Sequence, residues 1–220
     1  MEVNLVAISK PNIPECETAE DFIAYAARVS NPANQGNMET AGKLVRYLIK
    51  NKHWSPFEMV SVTMEIITTR DIARQILRHR SFAFQEFSQR YAQATQFQTR
   101  EARLQDQKNR QNSIKTEDEE LEFWWQQEQE MFLDDAERIY REALNRGIAK
   151  EQARAVLPEG CTVSRLYMAG TLRSWIHYCQ LRCANGTQLE HMEIARACAA
   201  ELRKEFPNVM EIVDDSIESK

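Results

Sequence analysis

Apolar and polar positions change period several times along the chain. Val60, Val62, Met64 and Ile66 alternate with Ser61, Thr63 and Glu65, which predicts a half-buried strand. Residues 3–8 read as a first short strand, ended by Ser9, Lys10 and Pro11. Elsewhere the apolar positions fall three and four apart. Phe22, Ile23, Ala26 and Ala27 behind Thr18 predict a helix over about 18–29. Ala41, Leu44, Val45 and Leu48 predict another over 39–51, and Ile72, Ala73, Ile76 and Leu77 a third over 69–78. Thr116 and Glu119 form a capping-box pattern ahead of a long helix over 117–146, closed by Gly147. Trp124, Phe132, Ile139 and Leu144 on it read as core or interface positions. A short helix over 150–156 stops before Pro158, and a strand over 162–167 leads to a helix over 172–183. A last helix over 187–206 ends at Pro207. Residues 104–120 read as a polar surface excursion and 211–220 as a mobile acidic tail. Strands and helices are intermingled with no repeat and no linker. The expected fold is α+β: one mixed domain, 1–220, with a small sheet packed by several helices.

Composition narrows the class. The chain has 220 residues, 43% of them hydrophobic, enough for one sizeable core or two small ones. A net charge of −5 lacks the basic footprint of a dedicated nucleic-acid binder. No apolar run approaches the ~18 residues of a membrane helix, and the start has no basic segment followed by a long apolar one, so a soluble cytoplasmic protein is expected. Five cysteines without a C-x-x-C suggest neither a disulfide framework nor a zinc ribbon. Cys179 and Cys183 share a helical face from which His177 is turned away, so no metal site is expected. None of the six glycines builds a dinucleotide fingerprint or a P-loop.

The candidate chemistry sits at 78–91. From His53 to Gln107 there is no lysine, yet Arg70, Arg74, Arg78, Arg80, Arg90, Arg100 and Arg103 all fall there. Arginine used alone points to planar, bidentate recognition of oxyanions or to stacking on flat rings. Ser88 with Arg90 is suited to hold a phosphate. The competing reading is that these arginines pair with acids, either Asp71 and Glu86 nearby or the acidic helix at 117–137. His79, flanked by Arg78 and Arg80, is expected to stay neutral through like-charge repulsion and either meets a ligand or packs. A hydroxyl ligand suits Ser88 better than a nucleophile, because no G-x-S-x-G surrounds it. The arginine and aromatic mix of 78–103 also fits an alternative, a single-stranded nucleic-acid binder.

Arg78-His79-Arg80, seven residues, then Ser88 matches the R-H-R-x7-S signature of the flavin-dependent thymidylate synthases, the ThyX family. Residues 53–58, Arg154 to Pro158 and Gly170 to Arg182 fit as well, so the resemblance runs over about 18–206. It implies a homotetramer with active sites at subunit junctions. It implies reductive methylation of dUMP to dTMP, with methylenetetrahydrofolate as one-carbon donor, NADPH as reductant, and an FAD whose N5 delivers the hydride. Flavin contacts are implied for Ser30, His53, Ser55, Arg78, His79, Arg80, Ser81, Glu86, Thr171, Leu172, Arg173 and His177. For dUMP the implied residues are Gln75, Ile76, Leu77, Arg78, Glu86, Phe87, Ser88, Gln89, Arg90, Arg154 and Arg182. Arg182 is the implied catalytic group: a fixed guanidinium favours the ionised pyrimidine, and no enzyme nucleophile is needed. The chain departs from commoner members at Met59, Thr171 and His177, where histidine, asparagine and asparagine are found in others.

Overall fold

The computed structural model describes residues 1–94 and 96–218. In chain order it contains β1 (Glu2–Ile8), α1 (Ala19–Ala27), α2 (Ala41–Lys50), β2 (Ser61–Thr69), α3 (Arg70–Ile76), β3 (Ala83–Glu86), β4 (Arg103–Gln105), β5 (Ser113–Lys115), α4 (Glu119–Asn145), α5 (Lys150–Ala153), β6 (Val163–Thr171), α6 (Leu172–Arg182), α7 (Leu189–Glu205) and α8 (Pro207–Glu218). Four strands form one sheet in the order β1-β2-β6-β3, and β4 and β5 form a separate pair. The fold is therefore mixed α and β. The alternation at 60–66 becomes β2, with Val62, Met64 and Ile66 buried on one side.

The chain divides into two compact units. The first comprises Met1–Ile66, His79–Phe84 and Tyr167–Lys220. Helix α1 opens with a full capping box: Thr18 accepts from the Asp21 N–H at 3.1 Å, and the Asp21 carboxylate accepts from the Thr18 N–H at 2.9 Å. Helix α6 is fixed at its start, where the Leu172 N–H donates to the Val60 carbonyl at 2.8 Å and the Trp175 indole to the Val62 carbonyl at 3.1 Å. Of the segment expected to be a tail, residues 211–218 belong to helix α8, and residues 219 and 220 lie outside the described residues. Pro207 begins that helix rather than merely ending α7, since its missing N–H costs nothing in a first turn. Val209, Met210 and Val213, at helical spacing among the acids, are fully buried. Glu20 accepts from the Val209 N–H at 3.0 Å and the Asn208 amide at 2.7 Å, and burial raises its pKa.

The second unit comprises Ile67–Arg78 and Gln85–Leu166. Helix α4 begins two residues later than expected: Asp118, not Thr116, caps it by accepting from the Leu121 N–H at 3.0 Å. Thr116 instead accepts from the Asp118 N–H at 3.1 Å, one step upstream. Gly147, at φ 83°, lets the chain turn after that helix. The polar excursion contains the antiparallel pair β4 and β5, with Arg103 opposite Lys115. Tyr140, Ala94, Ala153 and Leu157 make a small core against which Leu144 packs. Trp124, Phe132 and Ile139 on the same helix are exposed, so of the two readings of that stripe the core applies to Leu144 alone. Arg100 braces this unit: its guanidinium donates to the Asp71 carboxylate at 2.9 Å, the Thr69 hydroxyl at 2.6 Å and the Gly160 carbonyl at 3.3 Å.

Candidate active site

In the first unit the site residues gather on α6. Thr171 caps this helix, accepting from the Ser174 N–H at 3.4 Å. Its hydroxyl is thus used by the backbone of its own helix. Trp175, Tyr178 and Arg182 recur at three and four residues and share a face. Arg182 is the last residue of the helix, where a cation opposes the negative end of the dipole. Its Nε–H donates to His79 Nε2 at 3.0 Å. His79 Nε2 is thus an acceptor, and the ring hydrogen sits on Nδ1. Among the described residues no carboxylate lies within salt-bridge distance of Arg182. A half-buried guanidinium with a neutral partner keeps an uncompensated charge and two free NH2 groups.

The His79 pKa is pushed down to about 4, first by burial and then by Arg182. Neutrality is as expected, but the charge responsible is Arg182; the neighbours in sequence, Arg78 and Arg80, are both exposed. The His79 ring meets Tyr178 edge-on at 5.0 Å and His191 at 6.2 Å. His191 is fully buried and its Nε2 lies 3.1 Å from the Tyr178 hydroxyl. Burial, Arg182 and His79 push the His191 pKa down to about 3. Sequence reasoning missed His191 and Tyr178. Their signal was faint: a histidine on the apolar face of α7 reads as ordinary packing.

The remaining flavin candidates of this unit divide by exposure. Ser30, His53, Ser55, Arg80 and Ser81 are exposed, and Arg80 has no ion-pair partner among the described residues. Arg173 pairs with Glu58, and His177 meets the Trp54 ring at 4.6 Å, which brings the loop at 54–58 onto α6. Burial, then Arg173, lowers the His177 pKa. Phe82 packs on Trp175 at 4.9 Å and against Gly170, where a Cβ would meet the Phe82 ring at 2.5 Å, so only glycine fits. Leu172 is fully buried with its N–H taken by Val60, so its side chain is a core residue rather than a ligand group.

In the second unit the arginines largely find acids. Arg70 pairs with Glu86 at 3.4 Å, Arg74 with Glu159, Arg90 with Glu151 at 3.5 Å and Arg100 with Asp71 at 2.9 Å. None of these acids belongs to the 117–137 helix. Arg78, in contrast, is exposed and has no ion-pair partner among the described residues. Glu86 also accepts from the Ser164 hydroxyl at 2.8 Å. Gln75 is half-buried and Ile76 fully buried, with Leu77 between them and the exposed Arg78. After Phe87 the chain turns tightly: the Ser88 carbonyl accepts from Tyr91 and Ala92 N–H groups at 3.1 Å, and its hydroxyl from the Arg90 N–H at 3.4 Å. Glu151, which sequence reasoning overlooked, draws two candidates together. Its carboxylate holds Arg90, and its carbonyl accepts from Arg154 Nε at 3.3 Å. Gln89 is buried, and its amide nitrogen has no partner among the described residues.

Comparison with known proteins agrees with the motif. Residues 13–208 match the family described as thymidylate synthase complementing protein. A probable flavin-dependent thymidylate synthase of Paramecium bursaria Chlorella virus 1 is 50% identical over 215 residues, covering 97% of this chain and 99% of that one. The flavin-dependent thymidylate synthase of Synechocystis is 51% identical over 212 residues, covering 95% and 97%. A UMP/dUMP methylase, PolB from Streptomyces cacaoi, solved with 5-Br dUMP, superposes with a TM-score of 0.78 at 26% identity, covering 96% of this chain and 93% of that one. With the signature, the fold and the whole-length relatives in agreement, the chain belongs to the flavin-dependent thymidylate synthases, the ThyX family of methyltransferases.

Proposed function

We propose that this chain catalyses the reductive methylation of dUMP to dTMP, with methylenetetrahydrofolate as one-carbon donor, NADPH as reductant and FAD as cofactor. The observation that carries it is Arg182: half-buried, acid-free and anchored through Nε on a neutral imidazole. Such a group favours a pyrimidine ionised at N3, because its charge is not already spent on a carboxylate. Ser88, Arg90 and Arg154 suit the phosphate, since the turn at 88–92 and Glu151 hold them in one neighbourhood. The buried, unpartnered amide of Gln89 suits a substrate oxygen. When bound, the flavin supplies the reducing equivalents. The residues present fit it: Arg80 is exposed with no ion-pair partner among the described residues, which suits a phosphate, and Ser55 and His177 are exposed. Exposed Trp124, Phe132 and Ile139 on α4 suit burial between subunits of a homotetramer.

The test is direct. Purified protein reconstituted with FAD should show a flavin spectrum that bleaches under NADPH, and it should release tritium from C5-labelled dUMP when the folate is supplied. Protein that binds no flavin and releases no tritium would end the proposal.

A further inference from the structure

We propose that Ser164 is a positioning residue for Glu86: with Arg70 it holds one oxygen of that carboxylate, so that the other meets the 3′-hydroxyl of the nucleotide. This rests on the reading of dUMP as the substrate. Two donors converge on a single oxygen. The Ser164 hydroxyl donates to Glu86 Oε1 at 2.8 Å, and Arg70 Nη1 donates to the same atom at 3.4 Å. Glu86 Oε2 has no hydrogen-bond partner among the described residues. An ionised carboxylate only accepts, so the free oxygen calls for a donor.

All three side chains belong to the second unit, and its backbone fixes the elements that carry them. Ser164 lies on β6 and is 2% exposed. The Arg70 N–H donates to the Thr162 carbonyl at 3.0 Å, and the Phe87 N–H, next to Glu86, to the Arg165 carbonyl at 2.8 Å. The carboxylate and the groups that grip it are thus tied to one stretch of chain. Arg70 balances the charge, and Ser164 sets the direction. Without the hydroxyl, Glu86 could turn either oxygen to the guanidinium, because its side chain has several staggered rotamers. The placement also suits a nucleotide. Glu86 ends β3, and Ser88, suited to the phosphate, follows two residues later. Two residues of extended chain cover about 7 Å, and side chains two apart along a ladder share a face. In dUMP the 2′ carbon carries no oxygen, so the sugar offers one free hydroxyl. One free carboxylate oxygen, already oriented, receives it.

The experiment titrates the FAD-loaded parent, Ser164→Ala, Ser164→Cys, Glu86→Ala and the Ser164→Ala, Glu86→Ala double variant with two nucleotides. One is dUMP and the other is 2′,3′-dideoxyuridine 5′-monophosphate, which lacks the 3′-hydroxyl. The parent should prefer dUMP by about 10- to 100-fold, the scale of one hydrogen bond to a charged group. Ser164→Ala should weaken dUMP by about 5- to 10-fold and leave the dideoxy nucleotide within about twofold, so that the preference shrinks. Ser164→Cys, close in volume and a weaker donor, should fall between parent and Ser164→Ala. Glu86→Ala should abolish the preference, and in that background Ser164→Ala should not change it further. A merely structural role for Ser164 would lower both affinities together; equal losses, or an unchanged preference in Ser164→Ala, would overturn the assignment. A parent that binds neither nucleotide would remove the reading of the substrate itself. That outcome is distinct from a parent that binds both equally, which would remove Glu86 as the sugar contact and this assignment with it.

Discussion

Arg100 and Arg182 are both shielded from water, and they use that shielding in opposite ways. Arg100, with a side chain 16% exposed, is met by a carboxylate, a hydroxyl and a carbonyl. Its charge is compensated and its donors are spent, so it braces β2, α3 and the loop at 160. Arg182 touches a neutral imidazole through one nitrogen. Burying a cation without an acid is costly. A position that tolerates the cost is one where the charge is needed for something that arrives later. Residue type does not separate these two arginines; the company each keeps does.

The largest effect expected from this contrast is on rate. Arg182→Ala should lower kcat by roughly 10²- to 10³-fold, the scale of losing one preorganised donor to developing charge. The thermal midpoint should stay within about 2–4 °C of the parent, the shift that ~1 kcal/mol gives a chain of this size, because no carboxylate is orphaned. Steady-state kinetics and calorimetry on one preparation decide it; a fall in midpoint with unchanged rate would reverse the roles of the two arginines.

Next in size is the effect of Arg100→Ala, which should run the other way. It leaves Asp71 and the Gly160 carbonyl facing a void. A cost of about 2–3 kcal/mol follows from leaving such a part-buried group without its partner, or roughly 5–10 °C in midpoint. Turnover per folded molecule should fall much less than in Arg182→Ala. If urea titration finds both variants equally destabilised, compensation is not what distinguishes the sites.

Where the chain could be read in advance follows from the same physics. Period and capping chemistry are local, so β2, α1 and the body of α4 were legible from Val62, Thr18 and Trp124 onward. The signature at 78–88, which pointed to the family, was legible for the same reason, since its residues lie close in sequence. Helix α8 was hidden because its acids outweighed three buried apolar residues, whose value depends on Glu20 some 190 positions earlier. The contact between Arg182 and His79 was illegible for a stronger reason. Nothing in the order of residues says that the partner of Arg182 is His79, or that His79 is kept neutral by burial and then by Arg182 rather than by its own neighbours. Pairings over such separations are made by the fold.

A smaller effect should appear with pH. The folded pKa of His79 is lowered to about 4 and that of His191 to about 3, against an ordinary value near 6.5. A base whose folded pKa is depressed binds its proton more readily in the unfolded chain. Its contribution to stability is therefore complete above about pH 6.5 and is lost as pH falls towards about 4. The thermal midpoint should decline over that window, and His191→Phe should flatten part of the decline while the carboxylate contribution at lower pH persists. An identical slope in parent and variant would mean that the buried histidine takes up its proton within the folded protein.

The smallest effect belongs to a third kind of arginine. Arg173 has an acid, Glu58, but both side chains are 42% exposed. Water already solvates each charge, so pairing adds little: about 0–1 kcal/mol for exposed pairs of this type. Arg173→Ala should therefore move the midpoint of the flavin-free protein by at most about 2–4 °C. If Arg173 also meets the flavin, the same substitution should lower the flavin content of the purified protein while leaving that flavin-free midpoint almost unmoved. A large midpoint loss without FAD would show that an exposed pair can brace as Arg100 does, and burial would no longer explain why the two differ. A small loss with normal flavin content would leave burial as the explanation and make the Arg173–Glu58 pair a surface contact alone.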